Sequence, residues 1–377
     1  MLIIQVTSTY PPSINGVAIG VEKIKEELQK KGHKVIIIAP GIFKKNKPKD
    51  KIIRYPSVPN PVAKDYPLPL YPNFKRIIKI LGNQKPDIIH VHDPFYVGHF
   101  AKRLASHYQI PLVFTYHTRY DDYAQNYLRF LPGQIKKKIV MKKVDDFCRN
   151  VSLIISNSES IKQELLQRIP ELKITTIPFG LPEIPKVDLS KSETRGILDL
   201  PKDKKILLVV CRLAKEKNVP LLIKSLKQLN DDYFLAIVGG GEYQKELQKL
   251  AVKEKVINRV KFFGPIEHHK LGIFYQTADI FTYSSITETQ GLIFLEALSF
   301  NLPITAVDCE AAREWVLPGG GILAKNNPKD FSAKVKLIEK NNKIEITQKA
   351  QKVVAKSSSE NMIKKILIEY NRIKKST

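Results

Sequence analysis

Short apolar runs alternate along this chain with longer segments whose apolar residues return every three or four positions, the pattern of buried strands alternating with amphipathic helices. Leu2 to Val6 reads as a strand and leads into Thr7-Ser8-Thr9-Tyr10-Pro11-Pro12-Ser13-Ile14-Asn15-Gly16, a loop rich in turn formers. Val17 to Lys31 reads as a helix with Val21, Ile24 and Leu28 on one face, stopped by Gly32. Val35-Ile36-Ile37-Ile38-Ala39 is apolar throughout and so predicts a parallel strand covered on both faces. The alternation continues through a helix over 72–81, strand 87–92, helix 97–107, strand 111–117, helix 134–150 and strand 153–156, with Ser158 and Ser160 opening the next helix. Pro178, Pro182 and Pro185 then read as a linker. Beyond it the pattern restarts with strand 205–210, helix 219–229, strand 234–239, helix 242–255, strand 260–263, strand 278–283 and strand 304–308. Strands alternating with helices in two blocks predict two doubly wound, Rossmann-like α/β domains, spanning 1–183 and 184–358, with Ser359 to Lys375 as a closing helix.

Composition narrows the class. The 377 residues suffice for about two domains with cores of their own. Hydrophobic residues at 43 % and charged ones at 26 % fit a soluble globular protein, and no apolar run approaches the ~20 residues needed to span a bilayer. Met1-Leu2-Ile3-Ile4-Gln5-Val6-Thr7 reads as a strand and not as a signal peptide. Cys148, Cys211 and Cys309 are odd in number and widely spaced, which favours a reduced cytoplasmic setting over a disulfide framework. The net charge of +25 is spread over both blocks: 29 Lys and Arg against 15 Asp and Glu through Glu183, and 33 against 22 beyond it. Such a field attracts nucleic acid, anionic lipid or nucleotide, and a Lys-rich proteome gives the same number without any such role. A nucleic-acid module would interleave its basic residues with stacking aromatics on one face. The sequence has no such run, so nucleic acid is not an expected partner.

Candidate chemistry gathers where strands end. After Ala278-Asp279-Ile280-Phe281-Thr282-Tyr283 comes a polar loop, then Gly291, then a helix carrying Leu292, Leu295 and Leu298. The amides of Gln290, Gly291 and Leu292 would lack intrahelical acceptors there, which makes an anion site. Glu288 stands before this helix and Glu296 about two turns inside, roughly 12 Å apart along the axis at ~1.5 Å per residue. Cys211-Arg212-Leu213-Ala214-Lys215-Glu216-Lys217-Asn218 follows another strand and offers Arg212 and Lys217 to bracket a diphosphate. Gly239-Gly240-Gly241 permits close backbone approach to a ligand. His117 ends the strand Phe114-Thr115-Tyr116, and of His90 and His92 one is expected in the core and the other toward a cleft. No third ligand at zinc-like spacing accompanies them, so no metal site is expected.

The stretch from Glu288 to Glu296, with its preceding strand, Gln290-Gly291 and the Asn301-Leu302-Pro303 stop, resembles the E-x7-E signature of retaining glycosyltransferases of family 4. That resemblance implies the GT-B fold, two Rossmann-like doubly wound domains facing an interdomain cleft, with helix 359–377 crossing back onto the first domain. It also implies roles: Glu288 on the donor sugar, Glu296 on the nucleotide ribose, Arg212, Lys217 and the amides near Gly291 on the diphosphate. Gly264-Pro265-Ile266 matches the base-binding segment, Gly16 the glycine whose amide meets the donor phosphates, and His117 the histidine near the sugar. No Asp-x-Asp occurs, which favours a metal-independent enzyme with no cofactor beyond its donor substrate. Tyr10-Pro11-Pro12-Ser13-Ile14-Asn15-Gly16-Val17, Tyr116-His117-Thr118-Arg119-Tyr120-Asp121-Asp122-Tyr123 and Thr287-Glu288-Thr289-Gln290-Gly291-Leu292 are similar to segments of bacterial 1,2-diacylglycerol 3-glucosyltransferases, which implies UDP-glucose and a membrane lipid acceptor. Asn301 stands where that family has Gly, and Arg119 replaces a commonly apolar residue. Tyr127-Leu128-Arg129-Phe130-Leu131-Pro132 followed by Lys136, Lys137, Lys138, Lys142, Lys143 and Arg149 suits peripheral contact with an anionic membrane on its inner face. The same segment also fits a solvated helix. A soluble sugar or polysaccharide-precursor acceptor and a non-enzymatic sugar-nucleotide binder are the alternatives.

Overall fold

The computed structural model describes residues 1–13, 15–41, 51–58, 68–117, 120, 133–180, 184–286, 288, 291–340 and 343–375. The chain divides into two compact units, Met1–Gly180 with Ser359–Thr377, and Leu181–Ser358. The division falls at 180/181, three residues before the break read from the prolines.

In the first unit, strands β1 (Leu2–Val6), β2 (Lys34–Pro40), β3 (Ile52–Tyr55), β6 (Ile88–Val91), β7 (Leu112–Tyr116), β8 (Leu153–Ser156) and β9 (Ile174–Thr176) form one parallel sheet in the order β3-β2-β1-β6-β7-β8-β9. A short antiparallel pair, β4 (Ser57–Val58) and β5 (Leu68–Pro69), lies outside that sheet. Alternate residues point to opposite faces. Ile4, Val6, Ile36, Ile38, Ile89, Val91 and Phe114 enter one core cluster, while the other face carries a polar set in which Gln5 pairs in register with His90. The helix Gly16–Lys30 begins where Asn15 caps it, its side chain accepting from the Ala18 amide at 2.9 Å.

The closing helix, Ser359–Lys374, packs on this unit by burying Met362, Ile363, Ile366 and Tyr370. It is tied at both ends, by Lys31 to Glu360 at 2.9 Å and by Lys374 to Asp87. A Cβ on Gly180 would stand 2.3 Å from the Ser359 Cα, so the helix enters where only glycine admits it.

The second unit orders its parallel strands β12-β11-β10-β13-β14-β15, with β10 (Lys205–Val210), β11 (Tyr233–Val238), β12 (Val260–Gly264), β13 (Ile280–Tyr283), β14 (Ile304–Val307) and β15 (Gly321–Ala324). In both sheets the order reverses beside the first strand, at β1/β6 and at β10/β13. Open α/β sheets bind ligands outside the strand carboxyl ends at such a reversal.

Candidate active site

Two loops leave the reversal point of the second sheet, Cys211 onward from β10 and Ser284 onward from β13, and their side chains meet. Lys217 donates to Glu288 Oε1, and the Tyr283 hydroxyl donates to the same oxygen at 2.8 Å. The loops are also joined through their backbones: Ser284 Oγ donates to the Lys217 carbonyl at 2.8 Å and Asn218 Nδ2 to the Ser284 carbonyl at 3.4 Å. Burial alone would raise the Glu288 pKa, but the Lys217 charge and hydrogen bonds from Lys217, Tyr283 and Ser285 outweigh it and hold the carboxyl below its ordinary value. Burial acts to lower the Lys217 pKa, and the Glu288 charge reverses that. The Cys211 thiol is pushed up to about 12 by burial, and feels Lys217, Glu288, Arg212 and Glu216 together, so the four charges share one neighbourhood. Arg212 lies between Glu216 and Glu242, the latter at 3.2 and 3.4 Å. Both pairs are exposed, and exposed pairs are worth only about 0–1 kcal/mol, so they hold the Arg212 guanidinium weakly.

Glycines let these loops approach one another. A Cβ on Gly239, at φ +131°, would stand 1.8 Å from the Cys211 carbonyl oxygen. Gly239 N instead donates to the Gly264 carbonyl at 2.8 Å, which sets the segment Gly264-Pro265-Ile266 beside the glycine turn. Ile266 packs half-buried against the unit's core.

The Glu288–Glu296 stretch differs from the geometry expected of it. Gly291 takes φ +67° and the helix starts one residue later, Leu292–Ser299. Glu288 therefore sits in the loop off the helix axis and Glu296 little more than one turn inside, so the 12 Å axial separation does not apply. The Leu292 amide opens the first turn; Gln290 lies outside the described residues. Glu296 is only 5 % exposed, with Oε2 accepting from the Tyr275 hydroxyl at 2.6 Å and Oε1 3.0 Å from His268 Nε2. Sequence reasoning missed both partners. His268 follows the Gly264-Pro265-Ile266 segment by two residues, which was the available signal, whereas Tyr275 carries the pattern of any core aromatic.

In the first unit, His117 follows β7 and is buried. Its Nε2 lies 2.8 Å from His92 Nδ1, and its ring stacks on Phe179 with centroids 5.1 Å apart. His90 and His92 are both buried, against the expectation that one would face a cleft. The closing helix brings the Tyr370 hydroxyl to 2.6 Å from His90 Nδ1, while Gln5 and His117 enclose His92. Burial pushes His90 and His117 down to about 3, and His92 well below its ordinary value. Gly16 is the first helical residue, and nothing lies within 4 Å of a Cβ added there, which leaves room at the helix amino end.

The helix Gly133–Cys148 holds the basic segment. Lys136 is buried in it, so this residue drops out of the proposed surface set. Ile135 and Ile139, one turn apart, are exposed beside exposed Lys137, Lys138, Lys142 and Lys143. Arg119 and the segment Tyr127 to Pro132 lie outside the described residues.

Two family models match this chain: Glycosyltransferase Family 4 over residues 14–182, and Glycosyl transferases group 1 over residues 190–358. The chain is 31 % identical over 311 residues to an alpha-monoglucosyldiacylglycerol synthase of Streptococcus pneumoniae, covering 80 % of this chain and 69 % of that protein. It is 30 % identical over 313 residues to the Acholeplasma laidlawii protein of the same name, covering 79 % and 78 %. A GDP-mannose-dependent alpha-mannosyltransferase of Mycolicibacterium smegmatis is 26 % identical over 319 residues, covering 83 % and 81 %. Among solved structures, a sucrose-phosphate synthase from Thermosynechococcus elongatus superposes with a TM-score of 0.81 at 18 % identity over all of both chains. Anabaena HepE gives 0.78 at 17 % identity over 99 % of this chain and 100 % of its own.

Proposed function

The chain belongs to the family 4 glycosyltransferases of the GT-B fold, and from that premise we propose that it moves glucose from UDP-glucose to the free hydroxyl of diacylglycerol, with retention at the anomeric carbon. The observation that carries this reading is the Lys217–Glu288 pair where β10 and β13 part. An activated sugar needs a cation to take up charge as its diphosphate leaves and an acceptor to orient its hydroxyls, and this pair supplies both from two loops already joined. Glu288 holds the sugar. Arg212, Lys217, Gly16, Gly239 and the amides of Gln290, Gly291 and Leu292 hold the diphosphate. Gly264 and Ile266 meet the base, Glu296 binds the ribose, and His117 contacts the sugar near its anomeric carbon. The incoming hydroxyl attacks from the face the phosphate leaves, and the phosphate oxygen takes its proton. With two cations on the diphosphate the reaction proceeds without a metal.

The lipid acceptor is supported by the two relatives named as glucosyldiacylglycerol synthases and by the helix Gly133–Cys148. Its exposed Ile135 and Ile139 among four exposed lysines suit an anionic headgroup layer, at about 1 kcal/mol per cation near the surface. In this reading the enzyme works at the cytoplasmic face of the membrane, peripherally bound; among the described residues no helix is long and apolar enough to cross a membrane. The mannosyltransferase relative favours a second reading, with a different donor base and hexose. Transfer assays with UDP-, GDP- and ADP-sugars, with and without diacylglycerol vesicles, decide between them. UDP-glucose with vesicles is expected to yield an α-glucosyl lipid. Turnover confined to GDP-mannose, or to a soluble acceptor, would replace the first reading with the second.

A further inference from the structure

The loop after β1 delivers Gly16 to the amino end of its helix, and an arginine from a strand two places away grips that loop. Arg54 lies on β3, in register with Ala39 of β2. Its guanidinium reaches past β2: Nη1 donates to the Pro40 carbonyl at 2.7 Å and Nη2 to the Pro11 carbonyl at 2.6 Å. One planar fork therefore fastens the end of β2 to the loop after β1. The guanidinium also lies 5.2 Å from the centroid of the Tyr10 ring. Tyr10 is buried, and its hydroxyl donates to Glu22 on the helix Gly16–Lys30. Gly41 opens the path, because a Cβ there would stand 2.8 Å from Arg54 Cδ. Within the loop, Ser13 N donates to the Tyr10 carbonyl at 3.1 Å, and Asn15 donates to Thr9 Oγ1 at 2.7 Å while it caps the helix.

Stability alone does not ask for an arginine at this position. Among the described residues no carboxylate hydrogen-bonds to Arg54; Glu22 acts on it only through its charge, and burial outweighs that effect and lowers its pKa. A half-buried cation on two neutral carbonyls is costly to desolvate, and leucine would fill the path of the stem without that cost. What leucine lacks is the fork. We propose that Arg54 is a positioning residue that holds the turn from Tyr10 to Ser13 in place, and through it the Gly16 amide that meets the diphosphate of the donor. The phosphate contact rests on the reading that Gly16 serves the donor; the grip on the loop does not.

The test compares UDP with uridine on the full-length protein, by calorimetry for the first and ligand-observed NMR for the second. Uridine has the base and the ribose but no phosphate, so only UDP feels a displaced Gly16 amide. Arg54→Gln and Arg54→Lys are each expected to weaken UDP about tenfold or more, the scale of one hydrogen bond to a charged group, and to leave uridine within about twofold of wild type. Lysine keeps the charge without the fork, so full UDP affinity in Arg54→Lys overturns the proposal, as does full affinity in Arg54→Gln. Uridine weakened in step with UDP overturns it too, because a moved loop is blind to a ligand without phosphate. Hydrogen exchange is expected to quicken at the Ser13 amide in both variants and to keep wild-type rates in β1 and β2. An unchanged Ser13 rate, or faster exchange throughout both strands, contradicts the grip. Gly16→Pro tests the phosphate contact by itself: proline suits the first helical position and Asn15 is already extended, so the change removes the amide and keeps the helix. Full UDP affinity in Gly16→Pro sinks the reading that Gly16 meets the diphosphate, and the Ser13 exchange rates still decide the grip.

Discussion

Acid should unfold the first unit well before its carboxylates explain it. His90 and His117 are held near 3 by burial, His90 with a further push from the His117 charge, against an ordinary 6.5. The folded unit keeps both rings neutral while the unfolded chain protonates them. The unfolded state therefore binds more protons at every pH between those limits, and stability falls as pH drops below 6.5. At pH 5 each ring has lost about 1.5 pH units of that window, which at 1.36 kcal/mol per unit is about 2 kcal/mol, or about 4 for the two. His92 acts in the same direction. Asp93, raised by burial against hydrogen bonds from the Phe95 amide and Ser8, acts in the opposite one. A variant isolates the imidazoles because Asp93 is common to both proteins: His90→Gln should lose about 2 kcal/mol of the pH dependence between 7 and 5. Urea unfolding at each pH, read by hydrogen exchange in β1, β6 and β7, measures the first unit. The single tryptophan, Trp315, reports the second unit, which does not contain these rings. The reasoning fails if first-unit stability is flat from pH 7 to 5, or if His90→Gln keeps the whole slope.

Two further outcomes concern the second unit. Tyr275→Phe removes the donor on Glu296 Oε2 without changing the packing of the ring on Phe300, so UDP affinity measured by calorimetry should drop about tenfold while thermal stability changes little. An unchanged affinity would separate Glu296 from the ribose. Gly239→Ala combines a left-handed backbone with a Cβ 1.8 Å from the Cys211 oxygen and should destabilise the unit by at least about 2 kcal/mol, seen as a shift in the Trp315 unfolding midpoint.

The two α/β blocks were legible because central parallel strands are covered on both faces and so leave unbroken apolar runs, as in Val35–Ala39 and Ile206–Val210. Short peripheral strands leave no such mark: β3 alternates half-buried and buried residues, and β9 is three half-buried residues, so neither was expected. Strand order is a matter of long-range pairing and is not written in local pattern, yet it decides which loops share the reversal point. Helix starts were legible where a side chain caps, as at Asn15 and Ser158. The start after Gly291 was legible as well, since the helix runs Leu292–Ser299, but the depth of Glu296 was overstated: it stands little more than one turn inside rather than two. The burial of His92 and of Lys136 shows the other limit: the sequence shows which residues are polar, but only tertiary partners show which of them are enclosed.

The central claim concerns Glu288 and its cation. Glu288→Gln preserves the side chain's shape and removes the charge that Lys217 answers, so it should leave UDP binding within about threefold while lowering glucosyl transfer to diacylglycerol vesicles by about 100-fold or more, the scale of losing one preorganised electrostatic group. The most direct measurement is single-turnover transfer from UDP-glucose by this variant at saturating donor. Turnover that falls a hundredfold with UDP still bound is the result predicted here; turnover close to wild type would contradict it.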